Sequence, residues 1–245
     1  MKKLIPLFIV LATVTLYAAI VVTFQQATSD TADLATYTFN TIPIGTATAD
    51  RCVVMSTESR RSTISATTLV SATINGNAAT ILGQHNFTEA SSSLVAFISL
   101  VVPTGTTADF SMVISATMLR NRIGVTTLTG ANCTTVVDTQ SSDADDPTVL
   151  LDIPAGGAGF GVCVAASTTG STTWTGLTER HDAIIESAML ATGASAEFGT
   201  IQTDLPVTCT MTNTNAAETG LFISLGPASA GSTHSPIIGG GFLTQ

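Results

Sequence analysis

From Thr28 onward the chain runs in short apolar or alternating stretches punctuated by Gly, Pro, Asn and Asp, the signature of many strands rather than of strands alternating with helices. The pattern predicts strands over Ala35–Asn40, Arg51–Ser59, Thr67–Ile74, Ala79–His85, Leu94–Val102, Ala108–Thr117 and Ile123–Leu128. It continues with Val149–Ile153, Gly159–Ala166, Thr172–Leu177, Ala183–Ala191, Leu205–Thr212 and Leu221–Leu225. Asn75-Gly76 lies between two such runs, and because Asn-Gly accommodates positive φ it predicts a tight hairpin turn. Pro103-Thr-Gly-Thr-Thr107 and Pro154-Ala-Gly-Gly157 predict two more turns.

The fold class this implies is all-β, an antiparallel β-sandwich of jelly-roll-like kind preceded by an N-terminal hydrophobic segment. Thr139-Gln-Ser-Ser-Asp-Ala-Asp-Asp-Pro147 is the most polar stretch and reads as a long loop. The preferred organisation is one two-layer sandwich domain over 20–227, since all-β domains run to about 200–250 residues. The alternative is a pair of small sandwiches meeting at 139–147. The end of the chain, 228–245, reads as a Gly-rich tail, and 1–19 as a signal peptide or membrane anchor.

That N-terminal reading rests on Lys2 and Lys3 followed by an uncharged apolar stretch from Leu4 to Gln25, as in a secretory leader. Tyr17-Ala18-Ala19 is an imperfect cleavage signal, because a bulky tyrosine stands where a small residue belongs. Leu4–Phe24 also has the length of a membrane span, about 20 residues. Ile20-Val-Val-Thr-Phe24 is equally a β-branched run that suits a first strand, and a misassigned start is the third alternative.

Composition sharpens the class. Of 245 residues, 44 are Thr and 22 Ser, so β-branched and hydroxyl side chains dominate a chain with only 10% charged residues. No lysine follows Lys3, and the remaining cations are Arg51, Arg60, Arg61, Arg120, Arg122 and Arg180 against 17 carboxylates. Phosphate contacts need a basic footprint, so a nucleic-acid partner is disfavoured.

Cys52, Cys133, Cys163 and Cys209 have no zinc-site spacing. In an oxidising compartment they allow one or two disulfides with three full connectivities, and in a reducing one they are small buried apolar residues. His85, His181 and His234 stand apart, each read as a surface or loop residue, and no nucleophile elbow, P-loop or dinucleotide fingerprint occurs. No catalytic residue and no cofactor are predicted. Asp143, Asp145 and Asp146 are weak calcium candidates lacking the glycine and distal glutamate of an EF-hand, and a solvated acidic loop is the plainer reading. Asn86-Phe-Thr88 and Asn132-Cys-Thr134 match the glycosylation pattern, which a Thr-rich chain also produces by chance. Trp174, the single tryptophan, is either a sugar-stacking platform or, as its size favours, a core anchor.

Several segments occur together in a familiar order: Ile44-Gly-Thr-Ala-Thr-Ala-Asp-Arg51, Ala72-Thr-Ile-Asn-Gly-Asn-Ala-Ala-Thr-Ile81, Val102-Pro-Thr-Gly-Thr-Thr-Ala-Asp109, Arg122-Ile-Gly-Val125, Leu128-Thr-Gly130, Ile153-Pro-Ala-Gly-Gly157 and Thr173-Trp-Thr-Gly-Leu-Thr-Glu179. In this order they resemble uncharacterised Thr- and Gly-rich β-sandwich proteins encoded among the structural genes of tailed bacteriophages and prophages. The resemblance implies a non-enzymatic virion component, decorating capsid or tail, with other virion proteins or copies of itself in a lattice as partners. Residues 1–19 depart from it, since virion parts assemble in the cytoplasm. The alternative is a secreted or membrane-anchored surface protein that binds glycan or protein, touching the membrane only through 4–24 if these are retained.

Overall fold

The computed structural model describes residues 19–88, 92–167, 169–186, 188–212 and 218–229. They form an all-β protein of several antiparallel sheets. The first nine strands are β1 (Val21–Asp30), β2 (Leu34–Pro43), β3 (Cys52–Arg61), β4 (Leu69–Ile74), β5 (Asn77–Ala78), β6 (Thr80–Phe87), β7 (Ser92–Val101), β8 (Thr107–Met118) and β9 (Arg120–Thr129). Eight follow: β10 (Ala131–Ser142), β11 (Thr148–Ile153), β12 (Gly157–Ala165), β13 (Thr172–Thr175), β14 (Thr178–Ile185), β15 (Met189–Phe198), β16 (Gln202–Met211) and β17 (Glu218–Pro227).

Four sheets are stacked. The outer sheet β2-β8-β4-β5 packs on the inner sheet β1-β9-β3-β7-β6; that sheet packs through its other face on a second inner sheet, β10-β17-β12-β15-β14, which is covered in turn by the outer sheet β11-β16-β13. Three cores fill the gaps. Tyr37, Phe110 and Met112 meet Met55 and Ile98 in the first; Val54 and Phe97 meet Phe160 and Ile223 in the second; Cys163 and Phe222 meet Leu151 and Val207 in the third. The two-layer expectation is therefore exceeded.

The second half repeats the order of the first. With β5 treated as a two-residue extension of β4, each half has its strands in the inner order 1-8-3-6-5 and the outer order 2-7-4. The join is Gly130, at φ 73°, which carries the chain from β9 into β10. A disulfide between Cys52 on β3 and Cys133 on β10 ties the two halves across the middle core.

Burial explains the residue patterns. Strands of the inner sheets are covered on both faces, so β12 and β17 are buried almost throughout and read as continuous runs. β8, on an outer sheet, alternates Ala108, Phe110, Met112 and Ile114 inward with Thr107, Asp109, Val113 and Ser115 outward. The Asn75-Gly76 hairpin forms as expected, with φ of 52° and 74° joining β4 to β5.

Two expectations are corrected, and of the alternatives for Ile20–Phe24 the first strand is the one observed. Thr139–Ser142 belong to β10, an edge strand whose half-solvated pairing with β17 needs few apolar residues. Ala183–Ala191 is not one strand, because Glu186, at φ 47°, turns the chain between β14 and β15. Val21–Phe24, the end of the stretch long enough to cross a membrane, begin β1, and Ile20 ahead of them is buried in the middle core with its N–H donated to the Gly156 carbonyl at 2.9 Å. Residues 1–18 and the tail from 230 lie outside the described residues, as does His234. Among the described residues no helix is long and apolar enough to cross a membrane.

Candidate functional site

The chemistry-bearing side chains gather between the two inner sheets. Glu58 on β3 is fully buried, directly opposite Arg122 on β9. His181 on β14 enters from the second inner sheet, and its Nε2 comes within 3.8 Å of Glu58 Oε1. Room for its ring is made by two glycines, Gly124 on β9 and Gly193 on β15, since a Cβ on either would collide with His181 Nε2. Phe24 of β1 stacks on the ring, with centroids 5.9 Å apart. The surface or loop position expected for His181 is thus corrected: it is a core residue, only 9% exposed.

The electrostatics of this group follow from burial. Glu58 is pushed up to about 8 by desolvation, against the opposing pull of Arg122 and a 3.1 Å hydrogen bond from Ser56 Oγ. His181 is pushed down to about 3, again by desolvation first and by the Arg122 charge second. Arg122 Nε donates to His181 Nδ1 at 3.3 Å, which requires that nitrogen to be unprotonated. At neutral pH the pair is a neutral acid beside a neutral imidazole, so the 3.8 Å approach is not an ion pair. Glu58 Oε2 has no hydrogen-bond partner among the described residues. The adjoining cavity, lined by Phe24, Ser56, Gly124, Arg180, His181 and Ser195, holds about 20 Å³, room for one water and no organic substrate.

Arg51, Arg60, Arg120 and Arg180 are also engaged within the protein. Arg51, 1% exposed, donates all five of its N–H groups to carbonyls: Nε to Val102 at 2.8 Å, Nη1 to Ile44 and Gly45 at 3.1 and 2.9 Å, and Nη2 to Thr104 and Gly105 at 2.7 and 2.9 Å. Arg60 donates to the Ala188 carbonyl, Arg120 to Glu186 at 3.1 Å and Arg180 to Ser195 at 2.9 Å. The broad outer faces consequently carry hydroxyls and methyls. Thr36, Val113 and Ser71 form one row of the first outer sheet, and Thr148, Thr208 and Thr175 one row of the last.

The residues singled out from the sequence are dispersed. Trp174 on β13 points inward, its ring against Gly161 and edge-on to Phe222 at 6.0 Å, with Nε1 donating to Thr192 at 2.9 Å. Asp143 binds His85 at 2.8 Å and accepts from Thr219 at 2.6 Å, while Asp146 accepts from the Met211 N–H at 2.8 Å. No three His, Cys, Asp or Glu side chains among the described residues are grouped to hold a metal. Asn86 is engaged by Thr67 and by the Ser93 carbonyl, and Asn132 adjoins the disulfide. Cys163 and Cys209 are free thiols in the third core.

Among the described residues, surface grooves of ligand-sized volume include the following. One of about 330 Å³ between β1, β9 and Thr46 is lined by Thr23, Gln25, Thr127 and Thr129, and one of about 240 Å³ by Val137, Ile153, Pro154 and Ile201. The sequence did not single out Glu58, and it placed His181 at the surface or in a loop. A carboxylate inside the Val53-Val-Met-Ser-Thr-Glu58 strand was the available signal, but nothing in the sequence joins it to His181. Comparison with known proteins returns no matching family model, no matching curated protein and no matching solved structure.

Proposed function

We propose that the protein is a non-enzymatic structural subunit of a virion, capsid or tail, acting through contacts with copies of itself and with other virion proteins. The observation that carries this reading is the tandem repetition of one strand order, with hydroxyl-rich, charge-poor outer sheets at both ends of the stack. The order 1-8-3-6 beside 2-7-4 supports reading each half as a variant jelly roll whose fifth strand joins the inner sheet, and jelly rolls serve as coat and lectin domains. Against an enzymatic reading, the cavity beside the buried Glu58–His181 pair encloses too little space for a substrate. The resemblance to phage structural gene products points the same way.

The test is quantitative mass spectrometry of particles purified from the source. A constant copy number per particle supports the proposal; protein recovered only in the particle-free fraction rejects it. Thr208→Lys, on the centre of an outer face, should block incorporation while leaving the free protein folded.

The second reading, an exported surface protein, is favoured by two observations. The apolar stretch ahead of the body is confined to 4–19 once Ile20 is taken into the core and Val21–Phe24 into β1, which fits a leader better than a span of about 20 residues. The Cys52–Cys133 disulfide also suits an oxidising compartment, although virion surfaces hold such bonds too. In that case the Thr-lined groove beside β1 is the place for a neutral, hydroxylated ligand such as a glycan.

A further inference from the structure

Cys163 and Cys209 face each other across the third core. On β12, Gly161 and Cys163 lie on the same side, toward the outer sheet β11-β16-β13. On that sheet Trp174 is paired directly with Cys209, and the Trp174 ring covers Gly161. The neighbouring Cys209 is thereby brought toward Cys163 within the same buried cluster, near enough to push the Cys163 thiol further up than burial alone. Both are 0% exposed. Space for the Cys163 sulfur is left by Gly220, its cross-strand partner on β17, where a Cβ would come within 2.8 Å of Sγ.

We propose that Cys163 and Cys209 close into a second disulfide, which ties the outer sheet of the second half to its inner sheet as Cys52–Cys133 ties the two halves together. The bond forms by thiol–disulfide exchange with a disulfide carrier, such as oxidised glutathione or an oxidoreductase of the export pathway. One thiolate attacks the carrier, the other resolves the mixed disulfide, and the carrier leaves as two thiols with both electrons. Exchange needs a thiolate and access, and in the folded core burial holds the Cys163 thiol well above its ordinary range. The pairing is therefore made while the chain folds, before β16 settles on β12, and once made it is shielded from reductant. A protein folded in a reducing cytosol would keep both thiols, so the oxidation state of this pair records where folding took place. The inference is independent of whether the chain serves a virion or a cell surface.

The test uses the full chain, unfolded in reductant and refolded in a mixture of oxidised and reduced glutathione. The folded product should be about 4 Da lighter than the reduced chain, two hydrogens per bond. It should present no thiol to iodoacetamide in denaturant, and yield a peptide pair linking Cys163 to Cys209. A loss of about 2 Da with Cys163 and Cys209 both alkylated overturns the proposal, as does a bond from either to Cys52 or Cys133. The variant Cys52→Ser with Cys133→Ser isolates the pair: it should still lose about 2 Da on refolding, and two free thiols in its folded form would equally reject the bond.

Discussion

His181 Nε2 stands 3.8 Å from Glu58 Oε1 across the boundary between the two halves of the molecule, and neither group carries a charge there at neutral pH. The seam is thus stitched by a buried acid in its protonated form and an imidazole in its neutral form, arrangements that stability must reflect as pH changes.

Folded Glu58 keeps its proton to about 8, whereas the unfolded chain releases it near 4.5, so between these values unfolding releases a proton and rising pH favours the unfolded state. Folded His181 gains a proton only near 3, whereas the unfolded chain gains it near 6.5, so in that window falling pH favours the unfolded state. The two slopes cancel where the windows overlap. Stability should therefore form a plateau from about 4.5 to 6.5, decline above it until about 8, and decline below it until about 3. Urea midpoints over this range test the shape, and Glu58→Gln should remove the alkaline decline and turn the plateau into a continued rise up to about 6.5, because the His181 slope is then uncompensated. An alkaline decline that survives in the variant would assign it to other groups.

Gly193→Ala places a methyl group against His181 Nε2, and Gly124→Ala does the same at 2.5 Å. Each should cost about 1–3 kcal/mol as overpacking in a filled interior. Combined with His181→Ala, the cost of either glycine substitution should fall well below the sum of the single effects, a coupling that denaturant unfolding measures directly.

Trp174→Ala removes the ring that covers Gly161 and meets Phe222, and takes one of its three hydrogen bonds from the Thr192 hydroxyl, which keeps the His181 carbonyl and Thr172 as partners. Because the ring is half-buried, the expected loss is at the lower end of the range for aromatic truncation, about 3 kcal/mol. Trp174→Phe should recover most of it. A Trp174→Ala protein that melts with the parent but loses retention on a glycan array would instead make Trp174 a binding residue.

Arg51 gathers the 44–45 and 102–105 segments with five carbonyl contacts. Arg51→Met leaves the buried Ile44 and Val102 carbonyls without their donor and frees the Gly45, Thr104 and Gly105 carbonyls to water, and should cost about 3 kcal/mol. Arg51→Lys should rescue little, because three rotating donors cannot reproduce a planar fork of five. Hydrogen exchange at Ile44 and Val102, whose N–H groups donate to the Thr106 and Arg51 carbonyls, should rise in both variants.

Local patterns carried the fold class. Alternation in Ala108–Thr117, continuous apolar runs such as Phe160–Ala166 and the positive-φ Asn75-Gly76 turn are short-range effects of side-chain direction and backbone sterics, which neighbours along the chain determine. β10 escaped because an edge strand is stabilised by its ladder to β17 rather than by its own apolar residues. The division at Glu186 escaped because Ala183–Ala191 is apolar on both sides of the turn. What tertiary structure alone decided is everything that depends on sheets meeting face to face: the four-layer stack, the pairing of Cys52 with Cys133, and the burial of Glu58 against His181. Those partners are separated by 81 residues in the disulfide and lie in different halves of the chain in the acid–imidazole pair. Residue type reports only the local cost of burial, and the choice of which buried group meets which is made by sheet order and register.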